Sequence, residues 1–363
     1  MNVVHLQLSG GIGGISVLTR DIALKSNNNN IFYFLFEGGE IADRLKAEGS
    51  SVQVENDKNT GFIKAAKKFV DFCKRNKADV IICHTGSPVL RFIFAYCKRH
   101  YKNAVYLLYL HSNARYGSYE NKLKRLASRE LLMEAYRASK YAVAISKSVK
   151  ESFIEKYGFK SEKCKVVYNG IDLNKFYSNR LTDDYGTFNI IYVGRVLPEK
   201  GVHILIDALS MLPGDCKIKL FIVGRAYNGY DNELTAQAKR LGLEDKIQLI
   251  GPSLDVPKYL AQADLFVHPA VSEEGFGIAL AEAMAAYVPC VAFNEGAMPE
   301  IIDNGINGFI AKEMTAASLS QEIGRAYNLF IEGKYNRIRE SAHQKAQAFS
   351  IEAMVESLEN LYC

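Results

Sequence analysis

The sequence lacks the features of secreted, disulfide-stabilised or membrane-spanning proteins. Its seven cysteines are scattered, odd in number and form no CxxC pair. This argues against a disulfide framework or a zinc site and favours reduced thiols. The amino terminus, MNVVHLQLSGG, has no basic region followed by a long apolar segment, and no run of about 18 apolar residues occurs. We therefore expect a cytoplasmic protein that is neither exported by that route nor inserted in the bilayer.

Charge is distributed unevenly along the chain. Residues 1–170 carry 28 Lys and Arg against 15 Asp and Glu, a net charge of +13, whereas residues 171–363 carry 17 against 25, a net charge of −8. A basic half suits an anionic partner such as a phosphate, a nucleic acid or a membrane surface. The simpler alternative is a set of solvated, charged helix faces.

Short apolar runs alternate with longer amphipathic segments along all 363 residues. Runs that are apolar on both faces are typical of parallel strands covered by helices. The predicted strands are NVVHLQL, IFYFLF, ADVIIC, AVYLLYLH, YAVAIS, FNIIYVG, IKLFIVG, IQLIG, DLFVHP and PCVAF. The predicted helices cover 15–26, 62–77, 88–101, 119–138, 147–157, 201–211, 231–242, 255–262, 278–286, 315–333 and 350–361. The length and this repeated alternation predict an α/β protein of two doubly wound, Rossmann-like domains.

A change in composition marks the predicted boundary between the domains. The polar stretch SNRLTDDYGT follows YNGIDLNKF, and a new series of apolar runs begins after it. We expect a first domain over 1–170 and a second over 171–345. The terminal segment, 346–363, either completes the second domain or packs back on the first.

The stretch EGFGIALAE places two glutamates, Glu274 and Glu282, eight positions apart, with a Gly-Phe-Gly turn after the first. If a helix begins at Ile278, about two helical turns separate the carboxylates, and both can face one cleft. The free N–H groups of the first helical turn would point towards the ligand of Glu274. The carboxylate can accept hydrogen bonds from hydroxyls, and the helix terminus can bind an anion. Together they suit a sugar phosphate as the ligand.

Two other segments follow predicted strands and contain residues suited to binding phosphate. SGGIGGIS follows the first strand, so its glycines can bring the backbone and a helix terminus close to an anion. It lacks the last glycine of a dinucleotide-binding GxGxxG, where Ser16 stands, and a purely structural turn is the alternative. In the second half, Arg195 ends a strand and Lys200 begins the next helix, where two cations can neutralise a diphosphate.

These motifs resemble those of the family-4 retaining glycosyltransferases, which have the GT-B fold of two Rossmann-like domains facing a central cleft. The resemblance rests on GRVLPEKG at 194–201, on VHPAVSEEGFGIALAEAMA at 267–285, and on the order of elements around them. It is dense over 166–311 and consistent in layout over 1–165. It implies a metal-independent hexosyltransferase that uses a nucleotide sugar.

Transferred residue by residue, the resemblance assigns most of the donor site to the second half. Arg195 and Lys200 would contact the donor diphosphate. Glu282 would contact the ribose and Glu274 the donor sugar, whereas the neighbouring Glu273 would take no part in binding. Three residues would complete the pocket with their backbone: Phe276, Gly277 and Ile278.

In the first half, the resemblance assigns Gly13 and Gly14 to the loop near the donor phosphates and acceptor. It also places His111 beside the donor sugar, although a lone histidine after a strand is otherwise a packed core residue. Gly224 and Leu254 would flank the nucleotide base. No cofactor is expected beyond the donor itself, and a UDP-sugar is favoured over a GDP-sugar.

The resemblance also implies transfer with retention of anomeric configuration. No metal is expected, because Asp183 and Asp184 are an acidic pair in the linker and two basic side chains can replace a divalent cation. The basic first half suits a glycan or lipid-linked acceptor, in surface polysaccharide or lipopolysaccharide biosynthesis. The stretch 121–140 mixes basic and apolar residues and predicts peripheral binding to the inner face of the cytoplasmic membrane, although a solvated or core-facing helix fits it equally.

Other classes of function fit the residues less well. A non-catalytic sugar-nucleotide-binding subunit of a transferase complex would lack a pocket residue, yet Arg195, Lys200, Glu274 and Glu282 are all present. A nucleic-acid-binding protein could use the basic half, but no recognised motif supports it. An epimerase or phosphorylase of the same fold is disfavoured by the context of the two glutamates.

Overall fold

Two units, each a parallel sheet between helices, make up the described chain. The computed structural model describes residues 1–11, 13–56, 61–114, 121–176, 186–253 and 255–363. The first unit comprises Met1–Gly170 and Ile351–Cys363, and the second comprises Ile171–Ser350. The terminal segment is therefore shared, with residues up to Ser350 in the second unit and the last helix in the first.

The first unit begins with strand and helix in alternation. Its strands are β1 (Asn2–Ser9), β2 (Asn29–Glu37), β3 (Ser51–Val54), β4 (Val80–Thr85), β5 (Val105–Leu110), β6 (Tyr141–Ala144) and β7 (Cys164–Val166). Its helices are α1 (Gly14–Lys25), α2 (Glu40–Ala47), α3 (Phe62–Arg75), α4 (Pro88–His100), α5 (Lys122–Ala138) and α6 (Lys147–Tyr157).

The second unit repeats this alternation. Its helices are α7 (Leu173–Phe176), α8 (Val202–Ser210), α9 (Tyr230–Arg240), α10 (Val256–Leu260), α11 (Ile278–Ala285), α12 (Met298–Ile301), α13 (Ala316–Ile331) and α14 (Asn336–Ala346). Its strands are β8 (Phe188–Val193), β9 (Ile218–Val223), β10 (Ile247–Gly251), β11 (Leu265–His268), β12 (Cys290–Phe293) and β13 (Gly308–Ala311). The last helix, α15 (Ile351–Glu359), packs against α1 in the first unit.

Both sheets are doubly wound, as predicted. Within the described residues the strand orders are β3-β2-β1-β4-β5-β6-β7 and β10-β9-β8-β11-β12-β13, and every pair is parallel. The chain leaves β1 towards one edge and reaches the other half of the sheet through β4, and β8 and β11 repeat this reversal. In open α/β sheets, such a reversal of strand order creates a crevice at the carboxyl edge, and ligands bind there.

The strands are buried on both faces, which accounts for their continuous apolar sequences. In β5, every residue after Val105 is buried, and β11 and β12 are buried throughout. All seven cysteines are free, and six of them are buried. None of the helices in the described ranges is long and apolar enough to cross a bilayer.

Candidate functional site

The crevice of the second unit lies where β8 and β11 end side by side. Arg195 and Lys200 follow β8, and Glu274 follows β11. The loops after these strands therefore bring basic and acidic side chains from distant parts of the sequence to one place. Sequence order alone separates Lys200 from Glu274 by 74 positions.

Lys200 and Glu274 form a close ion pair in this crevice. The Lys200 ammonium donates a hydrogen bond to Oε2 of Glu274 over 2.5 Å, and both side chains are mostly buried. Oppositely charged side chains at hydrogen-bond distance attract each other more strongly when they are mostly buried than when they are exposed to solvent. The structure thus brings these two predicted residues into direct contact, and their role in a common site stays a prediction.

Backbone contacts hold the two loops in place. The N–H of Val271 donates to the carbonyl of Glu199 over 3.1 Å, and the N–H of Ala297 donates to the carbonyl of Glu274 over 3.1 Å. Gly201 has a φ of +69°, and a Cβ there would lie 1.9 Å from the carbonyl oxygen of Pro269. The close approach that positions Lys200 beside the second loop therefore requires glycine at this position.

His268 is a third member of the cluster, and sequence reasoning missed it. Its Nε2 lies 3.6 Å from Oε2 of Glu274, and its ring is buried at the end of β11. Burial by itself would raise the pKa of Glu274, but His268 and Lys200 outweigh it and lower that pKa to about 2. Glu274 is thus a carboxylate at any physiological pH, a hydrogen-bond acceptor and not a proton donor.

Helix α11 begins at Ile278, as predicted. Gly277, with a φ of +84°, is its N-cap, so the first backbone N–H groups of the helix are free of intrahelical partners. The side chain of Phe276 is buried and meets Phe349 edge-on at 5.4 Å, which leaves its backbone as the part that can reach a ligand. Glu282 lies half-buried about one turn into the same helix.

The remaining predicted residues of the second unit lie near the ends of β8 and β9. Arg195 is exposed, and the hydroxyl of Tyr192 donates to its carbonyl over 2.6 Å, which stabilises the turn. Gly224 follows β9, and its N–H donates to the carbonyl of Gly251 over 2.8 Å. Leu254, the other residue predicted near the base, lies outside the described residues.

The first unit carries the other predicted residues. Gly13 is the N-cap of α1, and a Cβ at Gly13 or Gly14 would meet no atom within 4 Å, so the backbone at the start of this helix is open. Ser16, which replaces the last glycine of the dinucleotide motif, is buried and donates to the carbonyl of Ser9. His111 directly follows β5 and is hydrogen-bonded to His84.

No metal cluster is evident in the described ranges. There, no group of three or more His, Cys, Asp or Glu side chains is arranged to hold an ion. Asp183 and Asp184 lie outside those ranges, and the metal requirement stays a prediction.

Comparisons with known proteins cover nearly the whole chain. The model of Glycosyltransferase Family 4 matches residues 12–175, and that of Glycosyl transferases group 1 matches residues 175–345. Spore coat protein SA of Bacillus subtilis is 26% identical over 324 residues, which are 82% of this chain and 80% of that protein. The amylovoran biosynthesis glycosyltransferase AmsK of Erwinia amylovora is 30% identical over 172 residues, 45% of this chain and 42% of its own.

Solved structures of Anabaena HepE share the complete fold. The complex of HepE with UDP superposes with a TM-score of 0.84 at 26% identity, covering 99% of both chains. The complex with UDP-glucose superposes with a TM-score of 0.80 at 27% identity, again over 99% of both chains.

Proposed function

This chain belongs to the family-4 type of glycosyltransferases with the GT-B fold, and from that premise we propose a specific reaction for it. It transfers a hexose from a nucleotide sugar, with UDP as the favoured nucleotide, to a glycan or lipid-linked acceptor, and it retains the anomeric configuration. The binding of UDP and UDP-glucose by HepE supports a UDP-sugar donor. The name of AmsK supports an acceptor in polysaccharide biosynthesis.

The Lys200–Glu274 pair at the β8/β11 crevice carries this proposal. A nucleotide sugar presents a diphosphate beside a ring of hydroxyls, and the crevice presents an ammonium beside a carboxylate. The free N–H groups at the start of α11 add a partial positive charge for the diphosphate. Each half of the donor therefore has a complementary group in the same crevice.

The roles of these groups follow from their charge states. Glu274, held ionised by its neighbours, accepts hydrogen bonds from donor-sugar hydroxyls and orients the anomeric carbon. Arg195 and Lys200 stabilise the charge that grows on the diphosphate as the glycosidic bond breaks. Glu282 binds the ribose hydroxyls. The acceptor attacks the anomeric carbon on the same face of the sugar ring from which the diphosphate departs.

We propose that the reaction needs no divalent metal, because these basic groups and the terminus of α11 face the leaving diphosphate. Turnover should be unchanged after treatment with EDTA. Activity that is abolished by EDTA and restored by Mg²⁺ would contradict this.

A donor panel with matched variants tests the assignment. Hydrolysis and transfer of UDP- and GDP-sugars would be measured for the wild type, Lys200→Ala, Glu274→Ala and the control Glu273→Ala. Loss of a hydrogen bond to a charged group costs about 1.5–3 kcal/mol, so we expect kcat/KM to fall about ten- to hundredfold in the first two variants. Glu273 is exposed, and its variant should retain activity. Unchanged hydrolysis in Lys200→Ala and Glu274→Ala would contradict the assignment.

The exposed beginning of α5 supports an acceptor at an anionic lipid surface. Leu123 and Leu126 are 76% and 53% exposed, and the intervening Lys124 and Arg125 are exposed as well. The later turns of α5 are partly buried, so the basic and apolar character is concentrated at its amino-terminal end. Apolar side chains flanked by cations suit insertion into anionic headgroups.

Vesicle flotation tests the membrane proposal separately from catalysis. The wild type should float with vesicles containing anionic phospholipid and not with neutral vesicles. A Leu123→Ser/Leu126→Ser variant should lose most of this binding. Met211→Ser, which changes an exposed apolar side chain of the second unit, is the matched control. Failure of the wild type to float would remove the membrane proposal.

A further inference from the structure

A row of three imidazoles crosses the sheet of the first unit and ends at His111. His5 lies on β1, His84 on β4, and His111 just after β5, while Asn30 on β2 stands at the other end. The row follows the spatial order of four neighbouring strands. Its buried end is Asn30, and its half-buried end is the histidine for which we predict contact with the donor sugar.

The register of the strands explains how the row forms. His5 is paired with Ile82, two residues before His84, and His84 is paired with Tyr109, two residues before His111. Side chains in such diagonal positions share one face of the sheet and lie within reach of each other. Each step across the sheet therefore advances two residues towards its carboxyl edge.

Hydrogen bonds connect the row without a gap. Oδ1 of Asn30 lies 2.9 Å from Nε2 of His5, Nδ1 of His5 lies 3.0 Å from Nε2 of His84, and Nδ1 of His84 lies 2.9 Å from Nε2 of His111. Successive rings are stacked, with centroids 5.3 Å and 5.1 Å apart. Asn30, His5 and His84 are all buried.

The amide of Asn30 gives the row a direction. Its Nδ2 donates to the backbone carbonyl of Asn28 over 3.0 Å, and because a carbonyl can only accept, the amide oxygen must face His5. His5 then carries its proton on Nε2 and leaves Nδ1 as an acceptor for His84. A neutral imidazole has one donor and one acceptor. His84 therefore donates from Nε2 to His5 and accepts at Nδ1, so His111 must donate from its own Nε2.

Burial keeps all three rings neutral. It lowers the pKa of His5 to about 4 and that of His111 to about 3, and burial and the neighbouring rings lower the pKa of His84. A second proton on any inner ring would also place two N–H groups face to face. The row is therefore a chain of neutral donors and acceptors at physiological pH.

We propose that Asn30, His5 and His84 are positioning residues that hold His111 in the Nε2–H tautomer, so that its Nδ1 accepts a hydrogen bond from a hydroxyl of the bound sugar. The sugar part of this inference rests on the proposed function, whereas the tautomer part concerns the protein alone. In this state His111 cannot protonate a leaving phosphate. It recognises a neutral hydroxyl and orients the sugar ring.

Nitrogen NMR on the ligand-free, histidine-labelled full chain tests the tautomer directly. Long-range ¹H–¹⁵N spectra at neutral pH distinguish Nε2–H from Nδ1–H rings, and His→Gln variants assign the signals. We expect His5, His84 and His111 to be Nε2–H tautomers. His100 and His343 are internal references, because their Nδ1 atoms face the carbonyls of Tyr96 and Ala285 and must donate. A proton on Nδ1 of His111 in the wild type would overturn the proposal.

An Asn30→Leu variant tests whether the row sets that tautomer. Without the amide acceptor, the signals of His5 and His111 should shift towards a mixture of tautomers, and kcat/KM should fall about tenfold with UDP affinity unchanged. Asn29→Leu, on the exposed neighbour, is the control. Tautomers that stay unchanged in a folded Asn30→Leu protein would overturn the role of Asn30. If that variant does not fold, the wild-type spectrum still decides.

The two proposals fail in different ways. If no nucleotide sugar is turned over or bound by the wild type, the proposed function fails, while the NMR result still stands for the tautomer. If donors are turned over but His111 carries its proton on Nδ1, the tautomer proposal fails, while the assignment as a glycosyltransferase still holds.

Discussion

The ionisation of Glu274 is set by two neighbours and opposed by its own burial. A carboxyl removed from water prefers its neutral form, yet Lys200 at 2.5 Å and His268 at 3.6 Å favour the charged form more strongly. The first natural interpretation of two glutamates in one cleft is an acid and base pair. The observed environment instead keeps Glu274 ionised as a hydrogen-bond acceptor, which is the state that its proposed contact with donor-sugar hydroxyls requires.

This ionisation predicts a specific dependence of stability on pH. Because the pKa of Glu274 falls from 4.5 unfolded to about 2 folded, its charge stabilises the fold fully above about pH 4.5. The contribution is lost as the pH falls towards 2. Partial exposure reduces it to roughly 2 kcal/mol. Denaturant unfolding of the wild type and Glu274→Gln should show a difference that is constant from pH 7 to 5 and shrinks below pH 4.5. A difference that grows on acidification would contradict the assigned ion pair.

Some site residues could be predicted from sequence and others could not. Lys200 and Glu274 lie in short local motifs that follow strands. The reversal of strand order at β8 and β11 brings these motifs together. His268 was missed because a histidine inside an apolar strand has no local signal. His5 and His84 were missed because their contact with His111 depends on strand register, which the sequence pattern does not specify.

At the scale of elements, the turn at Gly201 leaves no room for a side chain. Gly201→Ala would place a methyl group against the carbonyl of Pro269 and force a positive φ on alanine. We expect the free energy of unfolding to fall by about 2 kcal/mol or more and turnover to fall with it, since Lys200 precedes this turn. Gly214→Ala is the control, because its Cβ would meet no atom within 4 Å. Equal unfolding midpoints for the two variants would contradict this account.

The long strands and helices were predicted correctly, whereas several short or polar elements were not. The strands β3, β7 and β13 lie at or next to sheet edges and have three or four residues, too few to show a period. Helix α14, NRIRESAHQKA, is polar because it buries Arg339 against Asp264 instead of an apolar side chain. Its apolar stripe is therefore interrupted, and the sequence pattern does not indicate a packed helix.

The buried pair of Arg339 and Asp264 gives a second prediction at this scale. The guanidinium donates to Oδ1 of Asp264 over 2.5 Å, and both side chains are almost fully buried. Arg339→Leu removes the cation and leaves a buried carboxylate without it, which costs about 3–5 kcal/mol. A double variant, Arg339→Leu/Asp264→Asn, should recover part of this loss in denaturant unfolding. A single variant as stable as the wild type would contradict the role of the pair.

At the scale of the whole molecule, charge is divided unevenly between the two halves. The basic residues are concentrated in residues 1–170, which include the exposed start of α5 and the histidine row. The Lys200–Glu274 crevice and the start of α11 lie in the second unit, within the acidic half. Because that half carries a net negative charge, the diphosphate binding that we propose depends on its local basic groups.

Calorimetric titration with UDP and with UDP-glucose tests the central claim most directly. We predict that Lys200→Ala weakens both ligands about tenfold or more, because it removes a charge from the diphosphate. Glu274→Gln should weaken UDP-glucose while UDP binds as before, because its partner is the sugar. Glu273→Gln should change neither. Wild-type affinity for UDP in Lys200→Ala, or equal losses of both ligands in Glu274→Gln, would contradict the assignment of this crevice to the donor.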